Sequence, residues 1–302
     1  MSRLEQTNTN SINHQDTSND SNTETVEIIY DKIVLNKPTE YDSTERILLI
    51  DADSVLFLAS YFPEDSLELF PTDELQLEEG KFRIRNKLQE IQNNVEEHYN
   101  IKQTLIFLGG KSNFRYKLYP LYKANRKDKE ISPLIPLLKK YMINEIPNVI
   151  EALGAEADDY VFETYKITKG NCVCSSVDKD IFYNCHSVPL FDYRSYKSKD
   201  LDNTVIIGSF KFVTEKQSRF AKAQHIIAGD VSDGVPGAKG VGPAWCEKNM
   251  HEDMTDYQFT KQIFLAYLKA TKNDAVEAKK QIKLFYKLLK LWTKDELKSL
   301  NL

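Results

Sequence analysis

The chain alternates short, almost wholly apolar runs with longer stretches in which apolar residues recur every third or fourth position. Arg46-Ile-Leu-Leu-Ile-Asp51 is the clearest of the first kind. Four consecutive aliphatic residues without alternation are the pattern of a strand buried on both faces. Comparable runs predict strands at 103–108, 147–151, around Cys172, at 187–193 and at 203–208. Between them the spacing predicts helices over 54–61, 80–99, 132–144, from Glu156 onward and over 213–228. Pro133 and Pro136 suit the first turn of the third of these. Toward the end Val276, Ile282, Phe285, Leu288, Leu289 and Trp292 form one apolar stripe with lysines opposite. Strands regularly separated by helices predict an α/β fold with a mostly parallel central sheet.

Carboxylates gather where these elements begin and end. The first strand ends in Asp51, with Asp53 two residues on; Ala155-Glu-Ala-Asp-Asp159 opens a helix and fans Glu156, Asp158 and Asp159 around its start. The Cys172 strand runs out into Asp178 and Asp180. Ile227-Ala-Gly-Asp-Val-Ser-Asp-Gly-Val-Pro-Gly-Ala-Lys-Gly-Val-Gly-Pro243 sets Asp230 and Asp233 before a turn with Gly234, Gly237, Gly240 and Gly242. Ligands of open α/β sheets bind beyond the carboxyl ends of the strands, so clusters distant in sequence can meet there. Two carboxylates 4 Å apart repel by about 4 kcal/mol at an effective dielectric of 20. So many in one cleft call for cations, and an all-oxygen set favours Mg²⁺ or Mn²⁺. A glycine-rich turn brings backbone N–H groups close to phosphate.

The basic counterpart is Lys111–Lys129, with seven Lys/Arg against one Asp and with Phe114, Tyr116, Tyr119 and Tyr122 interleaved. Positive charge meets phosphates and aromatic faces stack on bases, the combination used by single-strand binders. The net charge of −5 does not oppose this, since the acidic excess concentrates in the predicted cleft.

The order Leu-Ile-Asp51, Phe114-Arg115…Tyr122-Lys-Ala-Asn-Arg126, Glu156-Ala-Asp-Asp159, Ser176-Val-Asp-Lys-Asp180 and Gly229-Asp-Val-Ser-Asp-Gly-Val-Pro-Gly237 resembles the flap endonuclease/5′–3′ exonuclease family, over residues of about 46 to 250. The resemblance implies a PIN/5′-nuclease-like fold and a magnesium-dependent nuclease acting on DNA at 5′ ends, flaps or nicks, or on RNA–DNA hybrids, in phage-type replication or repair beside replication proteins. It implies two ions, Mg²⁺ or Mn²⁺: Asp51, Glu156, Asp158 and Asp159 for the first, which activates water, and Asp178, Asp180, Asp230 and Asp233 to complete that site or hold the second. Arg115, Lys123 and Arg126 match positive residues near the scissile phosphate, and Tyr122 matches a base-stacking position. Lys111, Lys117, Lys127, Gly237, Lys239, Gly240 and Gly242 are the further expected DNA contacts. Residues 234–243 resemble the hairpin of a helix–three-turn–helix, with K⁺ as an expected ligand of its carbonyls. One departure stands out: many members carry an Asp at the end of the second strand, where this chain has Leu108-Gly109-Gly110. Asp53 is expected either to compensate as a metal ligand or to cap the helix that follows it, and position 110 is expected to face the cleft.

The rest of the sequence adds organisation. Residues 1–24 are polar and predict a disordered tail; 25–210 predict the α/β nuclease domain with 111–130 as an arch-like basic segment; 211–302 predict a helical DNA-binding subdomain with a helix-hairpin-helix-like motif at 230–249 and C-terminal helices. No stretch has the length and apolarity of a membrane span, and no signal peptide is evident, which predicts a cytoplasmic protein. Cys172, Cys174, Cys185 and Cys246 lack zinc spacing and read as reduced core thiols; His14, His98, His186, His225 and His251 are scattered. Two competing readings are a catalytically weakened DNA-binding module of the same fold and a phosphatase with a small substrate. The basic, aromatic segment argues against the second.

Overall fold

The computed structural model describes residues 40–126, 131–197 and 205–300. The tail expected at 1–24 and the expected contact Lys127 lie outside them. The first half runs β1 (Asp42–Asp51), α1 (Asp53–Ala59), α2 (Asp73–Glu96), β2 (Tyr99–Leu108), α3 (Phe114–Leu118), α4 (Leu134–Glu145) and β3 (Val149–Glu151). The second runs α5 (Ala157–Thr168), β4 (Cys172–Ser175), α6 (Lys179–Asn184), β5 (Pro189–Lys197), β6 (Val205–Phe212), α7 (Glu215–Ala228), α8 (Pro243–Asn249), α9 (Asp256–Ala270), α10 (Ala275–Leu289) and α11 (Lys294–Lys298).

Among the described residues six strands form one sheet in the order β3-β2-β1-β4-β5-β6. Every pairing is parallel except the β5–β6 hairpin at the edge. The chain builds outward from β1 to β3 on one side, then returns to start β4 on the other. The strand order therefore reverses beside β1, which opens a crevice past the ends of β1 and β4.

The apolar run of β1 serves both faces of the sheet. Leu48 and Ile50 enter one core with Ile84, Leu88, Ile91 and Val95 of α2 and Leu134 and Leu138 of α4. Leu49 enters the other with Val161 of α5, Ile181 of α6 and Trp292. A third core joins Ile227, Val235, Cys246, Phe259, Tyr267 and Phe285 through α7 to α10.

Three sequence expectations shift. α2 starts at Asp73 rather than near 80, because the Thr72 hydroxyl caps it by accepting from Leu75 N. It also ends at Glu96, and Tyr99 already belongs to β2. Val276 is 79 % exposed and leaves the apolar stripe, which keeps half-buried Ile282 and buried Phe285, Leu288 and Leu289 on α10, with Trp292 in the loop beyond. All four cysteines are buried and unbridged. Among the described residues no helix is long and apolar enough to cross a membrane.

Candidate active site

Four segments bring carboxylates to the β1/β4 crevice. Asp51 ends β1, is 7 % exposed, and accepts a 2.9 Å bond from the Ser176 hydroxyl just past β4. Its backbone carbonyl accepts from the Tyr193 hydroxyl of β5 at 2.7 Å, which fixes the strand end. Burial pushes the Asp51 carboxyl up to about 7, and neighbouring Asp53 and Asp178 push it the same way.

Asp53 does not cap α1; the N-cap residue is Ala52, with no side-chain bond. Its carboxylate instead reaches across to β2 and accepts from Gly109 N at 2.8 Å. A Cβ at position 109 would lie 2.7 Å from Asp53 Oδ2, so the Asp53 carboxylate fills the space a side chain there would enter. Position 110 does not face the cleft: a Cβ there would sit 1.8 Å from the Ala152 carbonyl oxygen. Leu108 is fully buried in the core.

At the start of α5, Glu156 is the N-cap residue and Asp158 and Asp159 lie in the first turn. Asp159 does not face the cleft openly. It is 1 % exposed and accepts two bonds from the Arg115 guanidinium, at 2.6 and 2.9 Å, one from Trp292 N and one from Glu156 N. Arg115, expected near a phosphate, is also 1 % exposed. Its remaining N–H groups meet the carbonyls of Leu288 and Lys290 and the Glu156 carboxylate. Bound through four hydrogen bonds and the Glu156 ion pair, it ties α3 to α5 and the end of α10 and leaves no face for a substrate.

The tip of the basic segment does reach the site. Lys123 adopts φ 52°, a left-handed conformation uncommon outside glycine, and its N–H bonds the Asp233 carbonyl. Its ammonium contacts Glu156 and lies 3.7 Å from Asp233. Arg126, half-exposed, bonds Asp233 at 2.7 Å. Tyr122, expected to stack on a base, is 1 % exposed, with its hydroxyl 2.8 Å from Glu156 and 2.7 Å from Asp233. It is a wall of the cleft, not a platform. Lys111 and Lys117 are exposed.

The last group surrounds the start of α6 and the end of α7. Asp178 is the N-cap of α6 and accepts from Asp180 N at 2.8 Å. Asp230 follows α7 and accepts from Ser232 N, the Ser232 hydroxyl and Asp233 N. Its carboxylate also faces His225 Nε2 at 3.3 Å and Lys179 Nζ at 3.3 Å. Asp230 and Val235 pair in an antiparallel bridge that closes the turn of residues 231–234. Gly237, expected at DNA, is buried at φ 63°; a Cβ there would strike the backbone of Ala228 and Gly229 at 2.4 Å, so it serves the turn itself. Gly240 and Gly242 have open space around them, and Lys239 is exposed.

One residue of the site, His225, lies outside every sequence motif, while Ser176 and Lys179 belong to the Ser-Val-Asp-Lys-Asp180 block but carry no expected role there. The nearest thing to a signal is a histidine on the buried face of α7, four residues before Gly229-Asp230.

The charges divide by partner. Burial opposes ionisation of Glu156, yet Arg115 and Lys123 hold it down to about 2. Burial pushes Asp180 up to about 7 against the pull of His225, with Asp178, Asp230 and Asp233 adding repulsion. Burial likewise raises Asp158, and Asp159 and Glu156 raise it further. Asp178 bears on both Asp51 and Asp180 and so joins the two acidic groups. An oxygen-rich set short of positive charge, with a buried oxygen on Asp180 that accepts no hydrogen bond, fits divalent cations.

Residues 46–211, just over half of the chain, match the family model described as the 5′–3′ exonuclease, N-terminal resolvase-like domain. A 5′–3′ exonuclease of Buchnera aphidicola is 28 % identical over 215 residues, spanning 67 % of this chain and 68 % of the relative. A flap endonuclease Xni of Shewanella loihica is 25 % identical over 212 residues, 66 % of this chain and 77 % of that one. DNA polymerase I of Rhizobium leguminosarum is 30 % identical over 154 residues, 49 % of this chain but 15 % of the polymerase. The fold also matches a bacteriophage T5 flap endonuclease solved with DNA and metal ions, at TM-score 0.52 and 14 % identity over 80 % of this chain and 89 % of that one. The chain belongs to the 5′–3′ exonuclease family.

Proposed function

We propose that this protein is a 5′–3′ exonuclease and flap endonuclease that hydrolyses phosphodiester bonds of DNA with the help of two divalent ions, Mg²⁺ or Mn²⁺. One observation carries the reading. Carboxylates from four segments distant in sequence converge at the β1/β4 switch point, and Lys123 and Arg126 stand over them. The family relationship and the relatives' names support it.

Asp51, Asp53, Glu156 and Asp158 would hold one ion, with Asp159 fixing the helix start behind them. Asp178, Asp180, Asp230 and Asp233 would hold the other. When bound, such ions neutralise the clustered charge and stabilise both the attacking and the leaving oxygen of a phosphodiester. Lys123 and Arg126 orient the phosphate at the rim, while Tyr122 holds Glu156 and Asp233 in place. The helical part, 211–302, grips duplex through Lys239 and the N–H groups around Gly240 and Gly242, where K⁺ on turn carbonyls would steady the hairpin. Lys111 and Lys117 extend the positive track toward a 5′ end, flap or nick.

The test is cleavage of 5′-labelled flap, nicked and single-stranded DNA, and of an RNA–DNA hybrid, in Mg²⁺, in Mn²⁺ and in chelator. Cleavage is expected with either ion, to stop with a general chelator, and to resist a zinc-selective one. Hydrolysis in metal-free buffer would refute the metal-dependent mechanism. Lys123→Ala and Arg126→Ala should each lower the salt slope of DNA binding by roughly one for every phosphate left without its cation. Binding without cleavage under every ion would favour the catalytically weakened module, whose support is the absence of a carboxylate at Gly109 and Gly110.

A further inference from the structure

Within the acidic cleft one corner differs in chemistry from the rest. Asp180 of α6, His225 of α7 and Asp230 of the following turn each offer one ligand atom, and these atoms all lie within 4.8 Å of one another. All three are buried, at 8 %, 2 % and 3 % exposure. The imidazole lies between the carboxylates, Nδ1 at 3.5 Å from Asp180 Oδ1 and Nε2 at 3.3 Å from Asp230 Oδ2. Asp180 Oδ1 is shut off from water and accepts no hydrogen bond, from the histidine or from any other group. A buried carboxylate oxygen aimed at this corner without a hydrogen-bond donor is an unsatisfied group, and a bound ion is one way to satisfy it.

We propose that Asp180, His225 and Asp230 form a mixed nitrogen–oxygen cation site, and that His225 makes this site prefer Mn²⁺ and other borderline transition ions over Mg²⁺. Mg²⁺ is hard, keeps its waters and is served by carboxylates. Imidazole adds its affinity to ions further along the first transition row and contributes little to Mg²⁺. The other acidic group, around Asp51, Asp53 and Asp158, carries only oxygen donors from these segments and keeps the preference of a hard site. The two groups thus differ in selectivity although both are rich in aspartate. The inference deepens the proposed function, since it assigns the ion of one of its two sites. Its tests read occupancy rather than hydrolysis, so that the two readings fail separately.

The full-length chain, free of any histidine tag, is loaded with one equivalent of Mn²⁺ and measured by pulsed electron paramagnetic resonance, with calorimetric titration of Mn²⁺ and of Mg²⁺ in parallel. A directly bound ¹⁴N coupling is expected, and it should vanish in His225→Gln. Losing an outer-shell partner already costs about 10–100-fold in affinity, so the variant's Mn²⁺ affinity should fall by at least about tenfold, with a smaller change for Mg²⁺. His225→Asp, which restores an all-oxygen set, guards against a folding defect: it should bind Mg²⁺ and lose the preference for Mn²⁺. Mn²⁺ bound without ¹⁴N coupling, equal affinity for the two ions in the unmodified chain, or coupling that survives His225→Gln would each overturn the proposal. Cleavage in Mg²⁺ without nitrogen coupling would leave the nuclease reading standing and remove this one. Nitrogen-coupled Mn²⁺ without cleavage would do the reverse.

Discussion

Two buried charge clusters stand in this protein, and both are built around aspartate. Around Arg115, demand and supply match: Asp159 accepts four bonds, and the guanidinium spends its donors on Asp159, Glu156 and two carbonyls. Around Asp180 they do not match. Asp178, Asp230 and Asp233 repel it, His225 approaches without bonding, and one oxygen is left without a partner. The first cluster is architecture, a link between α3, α5 and the end of α10. The second leaves a buried carboxylate oxygen without a hydrogen bond, which is where the proposed cation would sit. On the proposed reading, saturation, more than charge or burial, separates the structural cluster from the functional one.

The largest expected effect follows from breaking the deficient side. Asp180→Asn should abolish cleavage while leaving DNA affinity unchanged or higher, because one repulsive charge is gone from the phosphate's path. The same variant should be more stable than the unmodified chain in chelator, by roughly 1 kcal/mol or about 2–4 °C for a domain of this size. The sign comes from linkage. Asp51 and Asp180 are each pushed up to about 7 in the fold, by burial first. A carboxyl raised in the folded state stabilises it below its unfolded value near 4, and that contribution is lost as pH rises through about 7. Metal-free protein should therefore melt at falling temperature from about pH 4 to 8, Asp180→Asn should flatten that fall, and divalent ions should oppose it. Thermal melts across pH, with and without chelator, check all three. A steeper fall in Asp180→Asn would break the comparison.

On the saturated side the sign reverses. Arg115→Ala leaves Asp159 buried without its bidentate partner, and removing one member of such a pair typically costs about 3–5 kcal/mol. Denaturant unfolding measures it. Much of any lost cleavage should return under conditions that restore folding, such as lower temperature. A variant of unchanged stability that fails to cleave would return Arg115 to the substrate.

The contrast also explains what the sequence can and cannot reveal. The β1 run is legible because a strand covered on both faces needs four aliphatic residues in succession, and Asp51 after it marks the open end. Asp178 and Asp230 are legible for the same reason: each follows an element whose apolar pattern stops. Arg115 is misleading because its partners lie far along the chain, Asp159 at 44 residues' separation and Leu288 at 173. A basic, aromatic stretch looks the same whether its arginine points at solvent or into the core. His225 is hidden for the opposite reason. A single histidine on an apolar helix face carries no spacing rule, and only the packing of α6 on α7 brings Asp180 to it.

Asp53 lies between the two extremes and is predicted to give the smallest effect. One of its oxygens is satisfied by Gly109 N; the other lies where a side chain from position 109 would enter. A carboxylate from α1 thus occupies the place of one from β2, near Asp51. Asp53→Ser should raise the Mg²⁺ concentration needed for half-maximal cleavage by roughly 10–100-fold, the loss typical of an outer-shell partner. Gly109→Asp alone should be poorly tolerated, because its Cβ meets the Asp53 carboxylate. Combined with Asp53→Ser it should recover part of the Mg²⁺ dependence, since Gly109 is not among the residues of positive φ and that carboxylate is the close contact its Cβ would make. Recovery in the double variant would make the two positions interchangeable sources of one charge. An unaltered Mg²⁺ titration in Asp53→Ser, with a lowered melting point, would instead make Asp53 a tether between α1 and β2 and place it with Arg115 among the structural charges.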